Sequence, residues 1–186
     1  MRAFVIALVL VAMLIGLAVG RNYLCPPALV PTDAVATSSR DYRPAAYVLD
    51  SGQNALRPLE GVGSYAGDAS MRARAVVDAL IRFSADQAHA NSAPLPSGSK
   101  VNSLTVHDEL VTIDFNAAFA DRGFWGGSEH EYLALRALVN SLTEIPGIRR
   151  VKITVDGRQL DSLGGHEDIS QPLARDESVL PGKGRA

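Results

Sequence analysis

The stretch "SEHEYLALRALVNSLTEIPGIRRVKITVDG", Ser128 to Gly157, contains a helix start, a helix stop and a strand in one run. Ser128 followed by Glu131 reads as a capping box, with the serine at the N-cap and the glutamate three residues on. Leu135, Leu138, Val139 and Leu142 then recur at helical spacing, and "IPG" at Ile145 to Gly147 ends the helix. From Val151 the period changes to two: Val151, Ile153 and Val155 share one face, Lys152 and Thr154 the other, before Asp156-Gly157 turns the chain. A helix leading directly into a half-buried strand calls for a sheet with helices against it.

Elements upstream supply the rest of that architecture. "VNSLTVHDELVTIDF", Val101 to Phe115, alternates so that Leu104, Val106, Val111, Ile113 and Phe115 point one way, with the turn at His107 to Leu110. This is an antiparallel hairpin. "ASMRARAVVDALIRFSADQA" is a helix with Val76, Val77, Leu80, Ile81 and Ser84 on one face and Ser70 at its N-cap. A short strand is expected from Ala46 to Leu49. The order strand, helix, hairpin, helix, strand predicts an α+β fold in which a small sheet carries two amphipathic helices on one face.

The N-terminal part is of another kind. "AFVIALVLVAMLIGLAV", Ala3 to Val19, has no polar side chain and lies between Arg2 and Arg21. At 1.5 Å per residue such a run spans roughly 26 Å, near the thickness of a bilayer core, so residues 1–20 read as one transmembrane helix. Cleavage as a signal peptide after "LAVG" is the competing fate, and lipidation at Cys25 a third. Residues 21–44 hold four prolines in a Pro-rich tether. Residues 45–175 form the domain, and 176–186 are expected to be a flexible tail. These features place the domain outside the cytoplasm on a single-pass plasma-membrane anchor, or secreted if the segment is cut.

Composition removes several functions. The net charge of −2 offers nothing to nucleic acid, and a single cysteine excludes an intrachain disulfide or a Cys-based metal cage. The four histidines, His89, His107, His130 and His166, form no metal-binding pair at helical spacing. No nucleophile elbow is present. Neither catalysis nor a cofactor is expected.

Two loops remain as candidates. "DSLGGHEDISQPLAR", Asp161 to Arg175, combines paired glycines with imidazole and carboxylates. Leu160, Leu163, Ile169 and Leu173 suit a closing segment, with Gly164 and Gly165 permitting positive φ and Pro172 ending strand pairing. Under that reading His166 and Asp168 bond to backbone; under the other they meet a ligand. "DRGFWGGS", Asp121 to Ser128, sets Phe124 and the only tryptophan, Trp125, among glycines. Trp125 either packs over the second helix or stands exposed for a protein or sugar. Phe124, Trp125, His166 and Asp168 are the candidate partner-binding residues, while Gly164, Gly165 and Pro172 form the structural motif. Arg149, Arg150, Lys152 and Arg158 read as a charged outer face protecting an edge strand, with contact to anionic cell-wall polymer or lipid head groups as the alternative.

From "ALVNSLTEIPG", the "VDG" turn, "LGGHEDISQPL" and the upstream "PLPSGSKVNSLTVHDELVTIDFNAAF", the region Ala45 to Arg175 resembles the GerM (GerMN) domain of bacterial sporulation and spore-germination proteins. The resemblance implies an exported or anchored α+β domain similar to the ring-building modules of envelope machines, without established catalysis. An envelope protein or a second copy is then the expected partner. The family's occurrence beside amidase domains adds an alternative, a peptidoglycan-binding accessory that positions a hydrolase.

Overall fold

A computed structural model describes residues 45–52, 54–60, 62 and 65–182. The expected anchor, the lipidation site and the tether lie outside these residues. Among the described residues no helix is long and apolar enough to cross a membrane.

The chain forms β1 (Tyr47–Leu49), β2 (Leu56–Pro58), α1 (Ala69–Ala85), β3 (Val101–His107), β4 (Leu110–Phe115), α2 (Ser128–Thr143), β5 (Arg150–Val155) and β6 (Leu173–Ala174). The main sheet runs β3-β4-β5-β6. β3 and β4 are the expected hairpin, with Leu104 opposite Ile113 and Val106 opposite Val111. Asp108 and Glu109 take φ of 48° and 62°. Both central residues are thus left-handed, as a two-residue turn between twisted strands requires.

β5 lies parallel to β4, joined to it by α2 as the crossover helix. It is an interior strand, because β6 pairs antiparallel on its far side. The basic residues of β5 therefore protect no edge; Arg149 instead pairs with Glu109 at 2.8 Å, fixing the hairpin turn to the start of β5. A further difference concerns the first strand. β1 pairs with β2 in a separate two-stranded ribbon and not with the main sheet. Its Tyr47 N–H donates to Ser141 Oγ at 2.8 Å, which seats the ribbon on α2.

The alternation read from sequence holds: Val111, Ile113, Phe115, Val151, Ile153 and Val155 are all buried on one sheet face. α1 packs against β3 and α2 against β5, and the helices touch each other. α1 is capped by Asp68, whose carboxylate accepts from Met71 N at 2.9 Å, two residues before the expected Ser70.

α2 departs most from its expected form. It buries Glu131, Asn140 and Ser141 besides its leucines, so it has no fully wet face. Its polar side is covered by residues 161–180, which run along it as a strap. Asn140 donates to Asp176 O at 2.6 Å and accepts from Asp176 N at 2.9 Å. Arg175 bonds Glu144, and the Tyr132 hydroxyl donates to the Asp176 carboxylate. Beyond it, Glu177–Val179 form a 3-10 turn that buries Val179 and Leu180. The segment after Arg175 is thus ordered structure through Gly182 instead of a tail. Two apolar side chains and the Asn140 clamp hold it down.

The clamp yields a test. Asn140→Ala leaves two backbone groups of Asp176 without their partner and should cost about 2–3 kcal/mol in urea unfolding. Burial tends to raise the Asp176 pKa, but the bonds from Tyr132 and Ser178 and the Arg136 charge outweigh it, so the carboxyl lies below its usual range. Its folded pKa being depressed, its contribution is complete above the unfolded value of about 3.9 and is lost as the pH falls below that. Asp176→Asn should flatten this acid limb of the stability profile.

Candidate functional site

The two loops singled out by sequence form one structure, and Glu131 joins them. Gly127, at φ 91°, is the N-cap of α2, and its side-chain-free position makes no capping bond. Ser128 is therefore the first helical residue, and Glu131 does not close a capping box. Its fully buried carboxylate reaches the strap instead. Oε1 accepts from Leu163 N at 3.2 Å and Gly164 N at 2.8 Å, and Oε2 accepts from His166 N at 2.9 Å. Three backbone donors that a tight turn would otherwise leave buried or poorly paired are satisfied by one side chain.

The paired glycines have separate causes. Gly165 takes φ of 101°, a conformation that L side chains avoid. At Gly164 the reason is space: a Cβ would stand 2.1 Å from the Trp125 carbonyl oxygen and 2.8 Å from Glu131 Oε2. The strap thus lies directly on the backbone of the aromatic loop. Leu163 and Ile169, both buried, anchor the turn on either side.

Trp125 has no exposed surface. Its indole N–H donates to Phe119 O at 2.5 Å, and its ring packs against Phe119 and Phe124. The partner-contact reading of Trp125 is therefore corrected to core packing: the indole is the largest apolar group available to fill the space between β4, the 3-10 turn Ala117–Ala120 and α2. Phe124 is half-buried and stacks edge-on against His130 with centroids 4.8 Å apart. Burial holds the His130 pKa below that of a free imidazole.

His166 is exposed, so it is its backbone N–H and not its ring that takes part in the closure. Asp168 is exposed as well, and its carboxylate accepts from Ser170 N at 2.8 Å in a local turn. The Ser170 hydroxyl and amide hold that carboxyl below the usual aspartate range. Pro172 precedes β6 and does not end pairing, because Leu173 pairs with Val151 immediately after it. Asp161, His166, Glu167 and Asp168 border an open hollow of about 400 Å³. Among the described residues no group of three or more His, Cys, Asp or Glu is placed to hold a metal ion.

Sequence reading missed the residues that bind the strap. Glu131, Arg136, Asn140 and Glu144 form a polar stripe along α2, with Arg136 reaching Glu167 at 3.3 Å. The signal available was Asn140-Ser141 inside "ALVNSL", a pair of polar residues on an apolar helix with no solvent-facing explanation.

Glu131→Gln replaces one carboxylate oxygen with an amide NH2 that faces backbone N–H donors, and should cost about 2–4 kcal/mol in chemical denaturation. His166→Ala should change stability by no more than about 0.5 kcal/mol. A depressed His130 pKa also makes the fold lose stability as the pH falls from about 6.5 toward the folded value, since the unfolded chain binds the proton first. His130→Gln should remove that slope from unfolding curves taken at pH 5 to about 7.

Solved structures share this architecture. A putative lipoprotein from Clostridium perfringens aligns at TM-score 0.52 and 22% identity, over 72% of this chain and 87% of that one. The first GerMN domain of the sporulation protein GerM from Bacillus subtilis aligns at TM-score 0.53 and 20% identity, over 71% of this chain and 96% of that one. The tandem GerMN domains of the same protein give 0.51 and 20%, over 70% of this chain and 45% of that one. At such identities these likenesses speak for the fold. No curated protein matches the sequence. The profile of the Germane family, described as sporulation and spore germination, matches residues 45–161. That match covers more than half of the chain, which therefore belongs to the Germane family.

Proposed function

We propose that the chain is a non-catalytic cell-envelope module of the sporulation and germination type whose domain mediates protein-protein assembly. The observation that carries this reading is the use of Glu131. The one acid fully buried in the candidate loop region accepts three backbone amides, Glu167 is engaged by Arg136, and Asp161, Asp168 and His166 are exposed. A catalytic carboxylate needs free lone pairs aimed at a substrate in a protected cleft. Here the loop that most resembles a catalytic one serves closure, and what the domain offers is surface.

Tethering supports the same reading. The apolar segment 1–20 followed by the tether at 21–44 suits a domain held beside a membrane, with secretion after cleavage as the alternative. A relative of the same fold described as a putative lipoprotein is consistent with an envelope location. Phe124, His166 and Asp168 remain the candidate contact residues, the first half-buried and the others exposed. Wall binding by ring stacking rested on Trp125, and that ring is inside the core.

The test is chemical crosslinking of the full chain in cells, followed by size analysis and identification of what is captured. An assembly containing a second copy or an envelope protein is expected. Only monomer under conditions that crosslink a known envelope complex would sink the reading. His166→Ala, which leaves the fold intact, should lower the captured yield about fivefold if this surface is a contact centre.

A further inference from the structure

Among the described residues the β3 edge of the main sheet has no strand paired to it. β3 lies at the end of the strand order, with β4 on one side and, among the described residues, no strand on the other. A two-residue turn makes His107 and Leu110 the hydrogen-bonded pair that closes the hairpin, so Thr105 and Ser103 also turn their backbone groups toward β4. Leu104 and Val106 turn theirs outward, and no backbone partner among the described residues receives them. Natural edges are usually blunted by charge, proline or a bulge. Between Ser103 and His107 the sequence "SLTVH" has neither lysine, acid nor proline.

Blunting devices occur only at the two ends of this stretch. A bulge at Asn102 breaks the ladder between Val101 and Ser103, where the Asn102 amide bonds Asp114 at 3.0 Å and Asp156 at 3.1 Å. The turn begins at Asp108. The regular edge from Ser103 to His107 is thus centred on Thr105 and is self-complementary about it. Folding a second copy onto it by a two-fold rotation sets Leu104 opposite the partner's Val106, Thr105 opposite the partner's Thr105, and Ser103 opposite the partner's His107.

We propose that this edge is the surface on which two copies of the chain pair antiparallel about Thr105, making one continuous sheet across the dimer. The proposal deepens the assembly reading and rests on it by naming the partner as a second copy. Leu104 and Val106, half-buried against the core, extend their apolar face into that of the second copy. These are also the residues with free backbone groups, so both of their pairs exchange backbone bonds. Charge selects the orientation. Exposed Lys100 lies at one end of β3 and exposed Asp108 at the other, so antiparallel pairing brings each lysine end to the partner's aspartate end. Parallel pairing would set like ends together, and a two-fold arrangement closes the assembly at a dimer for this surface.

The proposal is tested by disulfide trapping in the full chain carrying Cys25→Ser. At Thr105 the facing residues are a pair without mutual backbone bonds, whose Cβ atoms approach closely enough for a disulfide. Under mild oxidation Thr105→Cys should give a covalent dimer on a non-reducing gel, and Ser103→Cys alone should not. Ser103→Cys mixed with His107→Cys should give the mixed dimer. Thr105→Lys, which sets two like charges face to face at an exposed position, should weaken dimerisation about fivefold. Absence of the Thr105 disulfide, with larger species still captured by the general crosslinker, overturns the edge and leaves the assembly reading intact. Monomer in both experiments overturns both, and a Ser103→Cys dimer as abundant as that of Thr105→Cys overturns the register.

Discussion

One carboxylate holds the C-terminal strap of the domain in place. Glu131 enters the core from the first turn of α2 and accepts the N–H groups of Leu163, Gly164 and His166. Burying an acid is costly unless its lone pairs are filled, and this one is filled by donors the strap could not otherwise satisfy away from water. Each side of the contact thereby removes the other's penalty. The aromatic loop depends on it too, since the strap seated by Glu131 presses Gly164 against the backbone of Trp125.

The same logic repeats down the helix. Asn140 clamps the backbone of Asp176, Glu144 holds Arg175, and Arg136 meets Glu167. α2 thus acts as the central post of the domain: its leucines serve the sheet, Ser141 the β1–β2 ribbon, and its polar stripe the strap. Many residues that would be solvent-facing on a simpler two-layer domain are interior here.

This explains what was legible in the sequence. Periodicity located both helices, the hairpin and β5 because each has one apolar face at a regular spacing; the GerM resemblance rested on parts of these and also on the non-periodic strap stretch "LGGHEDISQPL". The ribbon was only half read, since Leu56–Pro58 is three residues long and carries no alternation. Topology was misjudged for β5 because its outward Lys152 and Thr154 look the same on an edge strand as on an interior strand of a one-faced sheet. Glu131 was assigned to a capping box on spacing alone, and no local pattern distinguishes a glutamate that bonds its own helix start from one that bonds a segment thirty residues away. Trp125 was balanced between core and surface for the same reason: glycines on both sides permit either orientation.

The strap's position after β5 in the sequence has a kinetic side. While the polypeptide is being made, β4, α2 and β5 can be complete while residues 161–180 have not yet appeared. At that stage Glu131 and Asn140 have no partners, and the apolar surface that Leu163, Ile169 and Val179 will cover is open. The polar stripe of α2 is then unsatisfied, because its partners lie downstream of the sheet it helps to build. Native packing of α2 therefore requires residues 161–180, which follow β5 in the sequence.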